Sequence, residues 1–178
     1  MKKMMMIAAM MLMSIGAFAQ GKMAVGANLG IAAYGDGYNP FGLGAKFQYE
    51  FVESFRAEFA YNYWFRKYES GVMDFNLNLQ YLIPISEGLY VYPVVGATLA
   101  LTHGDAWKLL ADGQQSIFGF NAGAGIEYYV AEKVKINLDI KYQYNKKTKT
   151  IHNELLGDYD AELKINGPIF QAGIAYVF

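Results

Sequence analysis

Acyl-transfer chemistry needs a serine, a histidine and a carboxylate within hydrogen-bonding reach, and few residues of this chain could supply them. The candidates are His103, His152, Asp105, Glu154, Ser70 and Ser116. No spacing fixes these residues as a triad, and all of them fall in predicted loops, where a histidine is usually solvated. Cysteine is absent, and the spacing of the other metal-ligand residue types matches no metal site. We therefore predict no catalytic residues, no cofactor and no metal site.

Charged residues form a second group with potential chemistry, because nine of them recur at alternate positions of extended segments. They are Lys46, Glu50, Arg56, Glu58, Asp74, Glu127, Lys135, Asp139 and Lys141. The near-balance of the two signs favours a network of salt bridges over an ion-selective filter, which would show one sign in excess. Since an unpaired buried charge is costly, we expect these side chains to pair with one another in a shared interior.

The segments that carry these charges alternate between apolar and polar residues with a period of two, which is typical of β-strands. We predict eight strands, at 22–33, 41–51, 55–65, 73–83, 89–101, 117–130, 134–144 and 166–178. One face of every segment is free of charged and amide side chains, counted from Pro168 in the last segment. Downstream of residue 20 no apolar run is long enough for a helical membrane span. Pro93 interrupts the fifth segment, where its missing N–H predicts a local bulge.

The apolar face of these strands holds nearly all of the bulky rings, and its direction decides the fold class. Eight strands enclose room for side chains of modest size only, so these rings cannot all lie inside a closed barrel. A soluble barrel or sandwich would require them to do so. We therefore predict an all-β fold, an eight-stranded antiparallel up-and-down transmembrane β-barrel whose apolar face meets lipid.

The first 19 residues are predicted to be a cleaved signal peptide. Lys2 and Lys3 precede an apolar stretch at 4–15, and Ala17-Phe18-Ala19 supplies small residues at the cleavage site. The stretch is too short for the alternative, a membrane anchor helix. Residues 20–178 would then form the barrel domain. Its 13 basic and 16 acidic residues give a net charge of −3 without a basic block, so we predict no nucleic-acid partner.

The connections between the predicted strands alternate in length. Those at 52–54, 84–88 and 131–133 are short, whereas those at 34–40, 66–72, 102–116 and 145–165 are longer and more polar. Alternate connections of an up-and-down barrel lie at the same end. Short turns at one end and long loops at the other are typical of outer-membrane barrels. We expect the long set to be extracellular loops and both termini to be periplasmic.

The final stretch, 169–178, resembles the terminal strand of outer-membrane β-barrels, which ends in phenylalanine with outward apolar or aromatic residues at alternating positions before it. Phe178, Tyr176, Ile174 and Phe170 match that pattern. The resemblance implies that the barrel-assembly machinery recognises these residues. The whole of 20–178 resembles small barrels of the OmpA and OmpX type, a porin-like family of the Gram-negative envelope, and this implies location in the outer membrane at the cell surface.

Three functions are compatible with this pattern. The first is a structural, surface-interaction or adhesion role through the extracellular loops, and the second is a narrow channel for ions or very small solutes. The third is a lipid-modifying enzyme, against which the absence of a triad counts. We expect a monomer whose partners are outer-membrane lipid and lipopolysaccharide, with any surface ligand unspecified. Lys146-Lys147-Thr148-Lys149 would either contact lipopolysaccharide phosphates or lie in an ordinary solvated loop.

Overall fold

The computed structural model describes residues 21–34, 39–65, 71–103, 115–151 and 159–178. They form nine strands: β1 (Lys22–Ala32), β2 (Phe41–Val52), β3 (Phe55–Phe65), β4 (Gly71–Tyr81), β5 (Ile83–Ser86), β6 (Leu89–His103), β7 (Gln115–Ala131), β8 (Val134–Ile151) and β9 (Tyr159–Val177). Within these ranges no helix is both long and apolar enough to cross a membrane. The predicted signal peptide lies outside the described residues.

The strands close on themselves into a barrel. Each strand pairs antiparallel with its neighbour in the order β4-β3-β2-β1-β9-β8-β7-β6-β5, and β4 also pairs with β6. Closure between the first and last strands is sealed by the backbone N–H of Phe178, which donates to the carbonyl of Met23 at 2.9 Å. Because β5 continues β4 on the same side of β6, the barrel has eight strands, and the predicted fold class is confirmed.

The break between β4 and β5 coincides with Pro93. The ladder to β6 stops at Gln80 and Val94 and resumes in the same register at Ile83 and Val91. The two unpaired positions, 81–82, lie opposite 92–93, and Pro93 has no N–H to donate. The predicted bulge at this proline is wrong, because pairing of Pro93 with Ala124 on β7 is regular and no register shift occurs there. Instead, two consecutive residue pairs are missing from the ladder along β6.

Alternate residues point to opposite sides of the barrel wall. The outward face is apolar and exposed, with Leu77 and Phe120 each 62% exposed. The inward face is buried and mostly polar, and it includes Arg56 at 1% and Asp74 at 0% exposure. This arrangement is the reverse of a soluble barrel and matches the predicted direction of the two faces.

The two ends of the barrel differ. At the end that we call the turn end, two-residue turns join β2 to β3, β5 to β6 and β7 to β8. Ser54 and Gly88 have positive φ angles of 74° and 72°, which these tight reversals require. The predicted connection at 84–88 was too long, since residues 84–86 belong to β5. Each turn is flanked by a register shift, which absorbs the extra residue at the reversal.

At the opposite end, which we call the loop end, the strands run further than predicted. Residues 71–72 belong to β4, residues 102–103 to β6, and residues 115–116 to β7. The largest correction concerns the predicted loop at 145–165. Residues 145–151 continue β8 and residues 159–165 begin β9, and the two segments pair without interruption out to Ile151 and Tyr159.

Candidate functional site: the filled interior of the barrel

All nine charged residues singled out in the sequence lie on the inward side of the barrel wall. Seven of them are buried, namely Lys46, Arg56, Glu58, Asp74, Glu127, Lys135 and Lys141. Glu50 and Asp139 are half-buried. Neighbouring strands bring all of them except Glu50 together in three layers, one near the turn end, one in the middle and one towards the loop end.

The layer near the turn end centres on Glu127 of β7. One guanidinium nitrogen of Arg56 lies 2.8 Å from each carboxylate oxygen, and the Lys135 ammonium lies 3.3 Å from both. Arg56 also donates through Nε to Gln80 at 2.6 Å and lies over the ring of Tyr92, 5.0 Å from its centroid. A buried carboxylate is therefore held between two cations, which is the arrangement that makes burial of charge tolerable.

The middle layer centres on Glu58 of β3. Its two carboxylate oxygens accept hydrogen bonds from Gln48 at 2.7 Å and from Asn78 at 3.0 Å. The positive charges of Lys46 and Lys141 act favourably on it. The amides fix the orientation of the carboxylate while the lysines balance its charge.

A chain of hydrogen bonds crosses the same layer from β2 to β6. Lys46 donates to the amide oxygen of Asn137 at 2.5 Å, and the amide nitrogen of Asn137 donates to Asp139 at 2.5 Å. The hydroxyl of Tyr92 donates to the other oxygen of Asp139 at 2.7 Å. Room for this tyrosine depends on Gly125, since a Cβ at that position would collide with the Tyr92 ring.

The third layer centres on Asp74 of β4, which is fully buried. Asn62 and Asn76 donate to one of its oxygens at 2.6 and 2.5 Å, and the indole N–H of Trp64 donates to the other. The amide oxygen of Asn62 accepts from Asn28 at 2.7 Å and Gln171 at 2.9 Å, which ties β3 to β1 and β9. The carboxylate is thus satisfied mainly by neutral donors.

Above Asp74 the interior contains a group of apolar side chains beside the buried polar residues Thr102 and Asn145, and the sequence did not predict this group. We call this group the apolar cap; it consists of Ala32, Tyr34, Trp64, Val72, Ala100, Ile117, Ile165 and Ile169. Tyr34 and Trp64 meet edge to face with centroids 6.4 Å apart. The available signal was Trp64 itself, a large ring on the polar-facing side of its strand. Together these side chains close the loop end of the interior.

The turn end is more open. A cavity of about 290 Å³ there is lined by Lys22, Glu50, Tyr90, Glu127 and Tyr129, among others. Glu127 lines this cavity and also contacts Arg56 and Lys135, which are not among the lining residues. The interior of the barrel is therefore a shallow vestibule at the turn end, followed by a filled core and a cap.

The residues considered for acyl transfer do not form a site among the described residues. Ser70, Asp105, His152 and Glu154 lie outside them, and only the backbone of His103 is described, at the end of β6. Ser116 belongs to β7, which corrects its predicted place in a loop, and its carbonyl accepts a hydrogen bond from Lys147 at 3.1 Å. In the described ranges no group of His, Asp and Glu is placed to hold a metal ion.

Comparison with known families identifies the barrel. The model of the outer membrane protein beta-barrel domain family matches residues 5–178. The chain belongs to this family. No curated protein is significantly similar to it in sequence.

Solved barrels with the same fold are distant in sequence. Neisserial surface protein A is 14% identical with a TM-score of 0.65, and 89% of this chain aligns with 97% of that one. OprG from Pseudomonas aeruginosa is 15% identical with a TM-score of 0.67, with 89% and 96% of the two chains aligned. Ail from Yersinia pestis is 18% identical with a TM-score of 0.51, with 89% and 97% aligned. At these identities the likeness shows the fold alone.

Membership of the family places this barrel in the outer membrane, so lipid covers its exposed apolar face. The four residues of the terminal-strand pattern belong to that face. Phe170, Ile174, Tyr176 and Phe178 are each 51–59% exposed and point outward. Aromatic rings collect near the turn end as well, where Phe55 contacts Tyr81 with centroids 5.0 Å apart. Rings at this level suit the boundary between lipid and water.

Proposed function

We propose that this outer-membrane barrel is a closed scaffold that acts through its loop end, in a structural, surface-interaction or adhesion role. The observation that carries the proposal is the filled interior, in which the apolar cap lies over three layers of hydrogen-bonded charged and amide side chains. A barrel whose lumen is filled by its own side chains has no internal space for a ligand. Its loops then remain as the part that can contact a partner. The proposal includes the orientation expected from the connections, with the loop end outside the cell and the termini in the periplasm.

A narrow channel is the second candidate, and the vestibule at the turn end favours it. Carboxylates of Glu50 and Glu127 line that cavity together with Lys22, so a small solute could enter from this side. Passage would require Trp64 and its neighbours in the apolar cap to move apart, since these side chains are buried. Dewetting at an apolar constriction is also the way in which hydrophobic gates hold a pore shut.

Single-channel recording separates the two candidates. The purified, folded chain is inserted into a planar lipid bilayer, and a porin in the same apparatus shows that openings are detectable. The scaffold proposal expects no long-lived current steps. Stable openings of uniform size would overturn it and establish the channel.

The orientation is tested separately on intact cells. A protease site is inserted within residues 104–114 in one variant and at the Glu132–Lys133 turn in another. We expect external protease to cleave the first variant and to leave the second intact until the outer membrane is permeabilised. The reverse pattern would place the loop end in the periplasm and remove the basis of a surface role.

The surface role itself is tested by shortening the predicted loop between β6 and β7. Residues 104–114 are replaced with a brief Gly-Ser connection, and attachment of cells carrying either form to host-cell monolayers is compared. The folded barrel must be present in equal amounts. We expect attachment to fall in the shortened variant, and unchanged attachment would count against adhesion through this loop.

A further inference from the structure

The paired extension of β8 and β9 places two lysines side by side at the loop end. Lys146 and Lys164 are direct cross-strand partners, and both are exposed. The basic run seen in the sequence is not a single patch, because alternate residues of a strand face opposite ways. Lys147 points to the other side, where its ammonium donates to the carbonyl of Ser116. The lysine that lies next to Lys146 on the outward face is therefore Lys164 of β9 and not Lys147 of β8.

These two lysines lie just beyond the lipid-facing part of their strands, at the loop end. On β8 the outward residues run from Ile136 to Tyr144, and the next outward residue is Lys146. On β9 the outward face passes from Phe170 through Pro168 and Asn166 to Lys164. The stretch from Ile136 to Tyr144 is roughly 26 Å long at about 3.3 Å per residue. With a strand tilt of about 40° it covers roughly 20 Å of membrane depth, so the lysines lie close to the headgroups.

The geometry points to a ligand with a compact negative charge. Directly opposite residues of an antiparallel pair have Cβ atoms about 5 Å apart, and like charges in such a pair repel. One phosphate held between the two ammonium groups would offset that repulsion. Both lysines also interact with other groups of the chain, and an anion would join those contacts.

We propose that Lys146 and Lys164 form a binding site for the phosphate group of a membrane lipid headgroup, which in the proposed orientation belongs to the outer leaflet. Two features favour a lipid over a soluble phosphate. The pair lies just beyond Tyr142 and Tyr144, whose exposed rings mark the edge of the hydrocarbon. Lysines at this level also keep their stems against lipid while their ammonium groups reach the headgroups.

The test measures lipid selectivity at the barrel surface. The folded chain is reconstituted in phosphatidylcholine vesicles, and electron spin resonance gives the relative association of spin-labelled phosphatidic acid over spin-labelled phosphatidylcholine. The variant is Lys146→Gln/Lys164→Gln, and the matched control is Lys22→Gln/Lys133→Gln at the turn end. Heat-modifiable migration on gels confirms that each protein is folded. If the double variant fails to fold, the single variant Lys146→Gln replaces it.

We expect selectivity for phosphatidic acid to fall about 5-fold in the loop-end variant and much less in the control, with the difference shrinking in high salt. Equal selectivity in the wild type and the loop-end variant would overturn the proposal. Millimolar inorganic phosphate is the second arm of the test. If it abolishes the selectivity, the site takes soluble phosphate and the assignment to lipid is wrong; if it does not, the lipid source stands.

Discussion

Arg56 and Glu127 are 71 positions apart in the sequence, yet a guanidinium nitrogen of one lies 2.8 Å from the carboxylate of the other inside the barrel. They come from β3 and β7, strands that are not neighbours in the sheet. The contact crosses the lumen and braces opposite walls of the barrel. Lys135 completes the cluster and shares the same carboxylate.

Removal of Glu127 should destabilise the barrel strongly. In Glu127→Ala, Arg56 and Lys135 would keep their charges in a buried site without the carboxylate that both contact, which typically costs about 3–5 kcal/mol. Urea titration of folding into vesicles measures the loss. Glu132→Ala, at an exposed turn, is the matched control and should change stability by less than about 0.5 kcal/mol. Similar losses in the two variants would show that the cluster does not hold the walls together.

The lipid-facing side should respond to charge according to depth. Leu77 and Ile85 are 62% and 58% exposed, but Leu77 lies in mid-strand and Ile85 next to a turn. We expect Leu77→Arg to lower the free energy of unfolding by about 2–4 kcal/mol and Ile85→Arg by about 0–1 kcal/mol. The reason is that a residue at mid-strand lies near the middle of the hydrocarbon layer, whereas a residue next to a turn lies near its edge. The same urea titrations provide both values. Equal costs would mean that the apolar band does not span the membrane as described.

Gly125 should be intolerant of a side chain because of Tyr92. A Cβ there would meet a carboxylate oxygen of Asp139 and the tyrosine ring, so Gly125→Ala should cost about 1–3 kcal/mol through overpacking. In Gly125→Ala/Tyr92→Leu the contact of the alanine with the ring is removed and only the contact with Asp139 remains, so the combined loss should be smaller than the sum of the single losses. Ala124→Val, on the neighbouring lipid-facing position, serves as the control and should be nearly neutral. Strict additivity in the cycle would contradict the packing argument.

The terminal strand should matter for assembly as well as for stability. Tyr176→Ser/Phe178→Ser removes two outward rings from the strand that closes onto β1, and we expect less folded barrel in the outer membrane while export continues. Heat-modifiable migration of outer-membrane fractions measures the folded amount. The matched control is Tyr128→Ser/Val130→Ser, which removes outward residues at the same end of β7. An equal decrease in both would indicate a general interfacial effect rather than an assembly signal.

The alternation of residue types was sufficient to predict the barrel. Period-two patterning assigns every strand residue to one of two faces, and the volume of the rings leaves the outside as the only place for them. The same alternation assigned the charged residues to the inward face. For this reason the strands, their number and the direction of residues such as Leu77 and Asp74 could be predicted without coordinates.

The pattern could not locate the ends of β8 and β9. Apolar and polar residues alternate only where one face of the strand contacts lipid. The alternation therefore ends where the strand leaves the membrane. Backbone pairing continues beyond that point, because the hydrogen bonds of the ladder do not depend on apolar side chains. Lys146 and Lys164 therefore lie in a strand pair although their sequence is that of a polar loop.

The partners inside the barrel were decided by tertiary structure alone. The alternation of residue types predicts that Arg56, Glu127 and Trp64 point inward. The height of each residue along the barrel axis depends instead on the register of every strand between them and on closure of β1 with β9. A shift in that register would bring different charges face to face. The salt bridge of Arg56 with Glu127 and the apolar cap around Trp64 are properties of the closed barrel, because only closure brings distant strands across one lumen.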